Sequence, residues 1–174
     1  GAISDAVDWW ARAGELSIHR SANVEAAAQL TAALDLLSDG AAIDGRDERE
    51  LSVLSLLAVA HIAAKGYAAP EVGSAYERAR ELVSVVDDPL RFFPALHGIC
   101  RYYTTRGEHA TAERLVHTTK GVSGNLGAGE LQTAALALEA GIQGGAAGDC
   151  EALLTGFSTA LSAVLDGIGQ LDEG

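Results

Sequence analysis

Methionine is absent from all 174 residues, and most residue types that announce a particular chemistry are scarce. The missing methionine marks the chain as processed or as a piece of a longer polypeptide, an expectation that bears on function below. Its two cysteines, Cys100 and Cys150, form no C-x-x-C pair and fall in apolar helical segments. That excludes a disulfide framework and fits reduced, buried thiols in a cytoplasmic protein. Lys and Arg number 12 against 24 Asp and Glu, for a net charge of -12. Such a surface repels a nucleic-acid backbone or an anionic membrane, so neither is expected as a partner, and the charge serves solubility. The longest apolar run, 51–64, contains Ser52, Ser55 and His61 and is shorter than the roughly twenty residues of a bilayer span. No signal peptide opens the chain. Nor does G-x-x-x-x-G-K-S/T occur: the glycine-rich GVSGNLGAG at 121–129 lacks the lysine a phosphate-cradling loop uses.

What is abundant is Ala and Leu. The apolar fraction is 48% with only 5% aromatic residues, and few runs are rich in Val, Ile and Thr. That diet suits closely packed helices better than sheets. The length allows one domain with a real core, spanning 1–174. Apolar residues recur at spacings of three and four in about eight segments, which predicts an all-α chain of about four helical hairpins, at about 3–37, 47–86, 89–121 and 130–166. Punctuation supports the boundaries. Asp47 with Glu50 spells a capping-box-like start; Gly66 and Gly107 end helices; Pro70 and Asp88-Pro89 begin them. Ser38–Gly45 reads as a flexible loop and Gly121–Gly129 as a loose connection. The acid pairs Asp87-Asp88 and Glu48-Glu50 read as helix caps favoured by the macrodipole. Gly141 and Gly156 make the last hairpin the softest part, each costing about 1 kcal/mol relative to Ala.

A repeat runs through the hairpins. Gly66, Gly107 and Gly145 recur at about forty residues. Leu96, Ile99, Cys100 and Tyr103, then Gly107, Ala112 and Val116, fall at the spacings of the tetratricopeptide pattern, and Trp10, Ala13, Gly14 and Ser17 with Ala26, Leu30 and Ala33 stand in the same register. The fold expected is a tetratricopeptide-like array of antiparallel helix hairpins, an α-α superhelix. The wording KGYAAPEVGSAYERAREL, then FPALHGICRYYTTRGEHATAERL, resembles the helical repeat region of large bacterial signalling proteins that join a nucleotide cyclase, kinase or DNA-binding domain to a P-loop ATPase. That resemblance implies a cytoplasmic, non-catalytic module that binds a protein, a peptide or a neighbouring domain. It weakens after about Gly121.

In such an array the first helix of each hairpin lines a concave binding surface. Register places Asp8, Glu15 and His19 there from the first hairpin, His97, Arg101 and Thr104 from the third, and Gln132, Glu139 and Gln143 from the last. The second offers Val53, Leu56 and Ala60, an apolar floor or residues covered by neighbours. Arg101 is the expected anchor for a partner's carboxylate, since its guanidinium is a planar fork of donors. The enlarged turn YAAPEV reads as a trait of packing, with its exposed Tyr67 and Glu71 as candidates for contact with a neighbouring domain. His109, Glu113 and His117 align at i, i+4 spacings as a zinc set would, which raises a second reading, a metal- or small-molecule-binding helical sensor or enzyme. With no fourth ligand nearby and no H-E-x-x-H, solvated or capping histidines are expected there, with no metal or other cofactor. A third reading is a structural spacer, or a module that dimerises through apolar faces.

Overall fold

Where the chain turns is decided by a few residues that take the left-handed backbone conformation. The computed structural model describes residues 1–38, 43–83, 85–86, 89–125, 127–144 and 147–172. These form eight helices and no strand: α1 (Ala2–His19), α2 (Asn23–Ser38), α3 (Arg46–Lys65), α4 (Pro70–Leu82), α5 (Pro89–Thr105), α6 (His109–Asn125), α7 (Gly129–Gln143) and α8 (Ala147–Asp172). Helices α1, α5 and α6 end in the same cap. The residue that reverses the chain has positive φ, Ser21 at 59°, Gly107 at 75° and Gly127 at 70°. The N–H beyond it reaches back to the last turn, from Ala22 to Ser17 O (2.9 Å), Glu108 to Tyr103 O (2.9 Å) and Ala128 to Ser123 O (2.9 Å). Among the described residues no helix is long and apolar enough to cross a membrane.

Two expectations about helix ends are corrected. Gly121 does not open a loose segment: α6 passes through Gly121 and Gly124 and ends at Asn125. Tertiary burial overrides propensity here, because Val116, Thr119 and Ser123 are buried, and the two hydroxyls satisfy themselves on carbonyls one turn back, Thr119 on Leu115 O (2.9 Å) and Ser123 on Thr119 O (2.7 Å). Asp47 and Glu50 do not cap α3, whose N-cap is Gly45 with no side-chain hydrogen bond. Glu50 instead is buried and faces α4, where Arg78 donates to both its oxygens, at 2.6 and 3.1 Å. The expected caps Asp87 and Asp88, the turn residue Gly145 and residues 39–42 of the expected loop lie outside the described residues.

The chain divides into two compact units, Gly1–Ala95 and Leu96–Gly174. In the first, α1 packs on α2 and α3, α2 on α3, and α3 on α4. Val7, Ala26, Leu30, Ala33, Leu37, Val53, Leu57 and Ala60 form one buried cluster, with Trp10, Ile18, Leu34 and Leu56 packed against it. Val53 and Ala60 are thus covered core residues rather than a groove floor. Val24, in the first turn of α2, is 78% exposed. The enlarged turn after α3 rests on Gly66, at φ 86°, and is bridged by Lys65 and Glu71 (2.5 Å).

In the second unit α7 packs on both α6 and α8, and α5 meets α8 through His97, stacked on Phe157 with centroids 5.9 Å apart. Leu96, Ile99, Val116, Leu131, Leu138, Leu154 and Phe157 are fully or almost fully buried. The last hairpin therefore has a core of its own, and Gly141 is where Leu153 crosses α7: an added Cβ would collide with its side chain.

Candidate functional site

Helices α6 and α7 run antiparallel, and their polar side chains meet in steps. Gln143 donates to Glu113 (2.6 Å), His117 Nδ1 lies 2.8 Å from Glu139 Oε1, and Gln132 lies over Gly124, where a Cβ would stand 2.6 Å from its Nε2. Each pair sums to the same register, so the seam is a regular antiparallel contact with a polar rim.

The centre of that rim is His117. Its ring is 68% exposed, while Glu139 beside it is only 13% exposed and also accepts from Lys120 Nζ at 2.7 Å. The hydrogen bond from Lys120, and secondarily that from His117, holds the Glu139 carboxyl below its usual range. A carboxylate only accepts hydrogen bonds, so it selects the imidazole tautomer with the proton on Nδ1 and leaves the Nε2 lone pair free. Lys120 is placed by α6 itself, three residues beyond His117 and on the same face. Gly121, one turn beyond His117, has open space where a Cβ would stand. It is helical, so neither chain reversal nor packing explains a residue that costs about 1 kcal/mol there. Its effect is to leave the surface beside the imidazole low.

The other expected site residues are distributed as follows. Asp8 pairs with Arg49 of α3 (3.0 Å), and Glu15 and His19 are exposed, all in the first unit. Arg101, expected to hold a partner's carboxylate, donates through Nη2 to Glu151 of α8 (2.9 Å), and Thr104 is buried. Burial, and then Arg101, lowers the pKa of His97, whose Nε2 has no hydrogen-bond partner among the described residues. Tyr67 is 38% exposed and Glu71 is paired with Lys65. His109 opens α6, exposed. The set His109, Glu113 and His117 does not assemble as ligands: Glu113 faces Gln143 and His117 faces Glu139, and no metal-binding group of histidine, cysteine or carboxylate side chains is found among the described residues.

The second unit thus presents one oriented imidazole to solvent, with a lysine on the same helix face. A family model described as the Hpt domain matches residues 74–172, more than half of the chain, and the chain belongs to that histidine phosphotransfer family. No curated protein and no solved structure matches the chain. Hpt domains are phosphotransfer carriers rather than catalysts, and they interact with histidine kinases and response regulators.

This overturns the expectation of a tetratricopeptide-like repeat region from a cyclase and P-loop ATPase protein, and with it the non-catalytic repeat-module function. The reason is physical. Any helix pair packed through Ala and Leu needs small residues at close approaches and large ones at i+3 and i+4, so the repeat register is also the register of a bundle. Lys120 and Gly121, which α6 sets beside His117, are not among the site residues expected from the sequence. The sequence does carry them, as a histidine followed at i+3 by lysine and at i+4 by glycine, but glycines at 121–129 are locally a signal to end a helix.

Proposed function

We propose that the chain is a phosphoryl carrier of two-component signalling and that His117 is its acceptor. The observation that carries this is the exposed His117 ring, fixed through Nδ1 by Glu139 inside the segment matched by the Hpt model. Of the three histidines in that segment, His97 is half-buried against Phe157, and among the described residues no side chain orients His109.

The step is a phosphoryl exchange between proteins. The Nε2 lone pair of His117 forms a bond to phosphorus as the bond from phosphorus to the donor's carboxylate or imidazole breaks, and the donor leaves with that electron pair. The Nδ1 proton stays in place, so the phosphorylated ring is cationic and the Glu139 carboxylate stabilises its charge. In the onward step the ring leaves as a neutral imidazole. Lys120 supplies positive charge beside the transferring oxygens, and Gly121 leaves room for the partner's surface. No enzyme activity of the chain's own is needed; its partners are a histidine kinase or a response regulator, in the cytoplasm.

Phosphoramidate, a small phosphoryl donor, tests the acceptor. We expect acid-labile phosphate on the full chain, lost in His117→Gln and retained in His109→Gln and His97→Gln. Labelling that survives His117→Gln overturns the assignment.

A further inference from the structure

Helix α1 has a second face that its own unit does not use. Its packing side is formed by Val7, Gly14 and Ser17, all buried. Directly opposite, at spacings of three and four, stand Asp5, Trp9, Arg12, Leu16 and Arg20, all exposed. Trp9 is 63% and Leu16 49% exposed, so the two bulkiest apolar side chains on this helix's outer face lie about two turns apart on its water side. Trp9 is held edge-on against Trp10, with centroids 4.8 Å apart, which fixes the ring and lowers the entropy lost when it is covered. Single exposed apolar residues are ordinary, but an aligned Trp and Leu centred on a helix face are the pattern of an anchor.

The charges at the two ends say what fits. Asp5 lies one turn before Trp9, and Arg20 one turn after Leu16. Neither has an ion-pair partner among the described residues. The stripe therefore reads acid, Trp, Leu, base along the helix, and it is complementary to itself when reversed. We propose that a second copy of this chain docks here, α1 against α1, antiparallel about a two-fold axis passing between Arg12 and Ala13. In that register Trp9 covers Leu16 of the second copy and Asp5 meets Arg20 of the second copy, each contact occurring twice, as an isologous interface requires. Antiparallel packing also sets the positive end of each helix dipole beside the negative end of the other. Arg12 lies beside the axis near its own counterpart, and Glu15, one turn along on the same edge, offsets that repulsion. The dimer is separate from the chemistry of His117 and does not depend on it.

Sedimentation equilibrium of the full chain across a dilution series is the test, with circular dichroism confirming that each variant remains helical. Twice the chain mass is expected at high concentration, falling to the chain mass on dilution. Trp9→Glu should abolish association. Asp5→Arg and Arg20→Asp should each weaken it about tenfold, and the two changes together should restore it, because the reversed charges again face one another. These end positions are exposed, so they remain informative if Trp9→Glu perturbs folding. A wild-type chain that is monomeric throughout overturns the proposal and leaves the face to a different partner. So does a dimer indifferent to Trp9→Glu, or a double charge variant no tighter than the single ones.

Discussion

Each unit holds a glutamate against a cation at a seam between neighbouring helices, and the two are put to opposite use. In the first unit Glu50 receives both hydrogen bonds from the one guanidinium of Arg78, and the pair closes the α3–α4 seam. In the second Glu139 divides its oxygens between Lys120 and His117, and the imidazole keeps one nitrogen turned to solvent. The glycines differ in the same sense. Gly14 is filled by its neighbour: an added Cβ would stand 2.5, 2.8 and 3.2 Å from Leu30 carbons, whereas one at Gly121 would meet nothing. The fold consumes Glu50 and Gly14 in its own packing, and it leaves the His117 ring and the space at Gly121 open to solvent.

The largest effect that would break this contrast is expected at Gly14. Gly14→Val forces branched carbons into Leu30 and should destabilise the chain by about 1–3 kcal/mol, read as a lower urea midpoint with unchanged phosphate labelling. A variant as stable as the wild type would show that Leu30 gives way and that the glycine is not a packing requirement.

Next comes Glu139→Gln. Loss of the carboxylate frees the His117 tautomer and removes the charge that steadies the phosphorylated ring, so the labelling rate should fall about tenfold, on the order of 1.4 kcal/mol in the barrier. The sign of its pH dependence follows from the depressed carboxyl. Stability from the contact with Lys120 and His117 is fully present above the ordinary glutamate value and is lost as pH falls through the lowered one. Melting temperatures of wild type and Glu139→Gln should therefore differ near neutrality and converge in acid, once the pH has fallen through the lowered Glu139 range. A constant difference over that range would separate the carboxylate's charge from its role.

The smallest effect is the most diagnostic. Gly121→Ala should stabilise α6 by up to about 1 kcal/mol, since a methyl there meets open space and alanine is the better helix former. Transfer from a phosphorylated partner protein should slow while labelling by phosphoramidate stays unchanged. Equal slowing with both donors would mean the glycine serves the ring and not the partner.

Much of this architecture was legible beforehand, and the site was legible only in part. Pro70, Gly66 and Gly107 set helix boundaries through their own backbone preferences, so α4, α5 and the turns beside them fall close to where the residues say. Register alone places Glu139 on a concave surface and His117 in a metal set, so it does not join the two members of the central pair. Nothing in the spacing of 22 residues between them says that they touch. Glu50, one turn into α3, read locally as a cap, and only the approach of α4 turns it toward Arg78.

By itself the sequence determined an all-α chain, its eight helical segments and most of their ends, because capping, turn conformation and apolar periodicity are local properties. The tertiary structure decided the rest. The burial of Thr119 and Ser123 carries α6 through two glycines, and the antiparallel register of α6 and α7 brings Glu139 to His117. Packing of α1 on α2 and α3 leaves Trp9 and Leu16 facing water. Each of these depends on which helix face meets which, a choice made by long-range packing that helical period alone cannot distinguish.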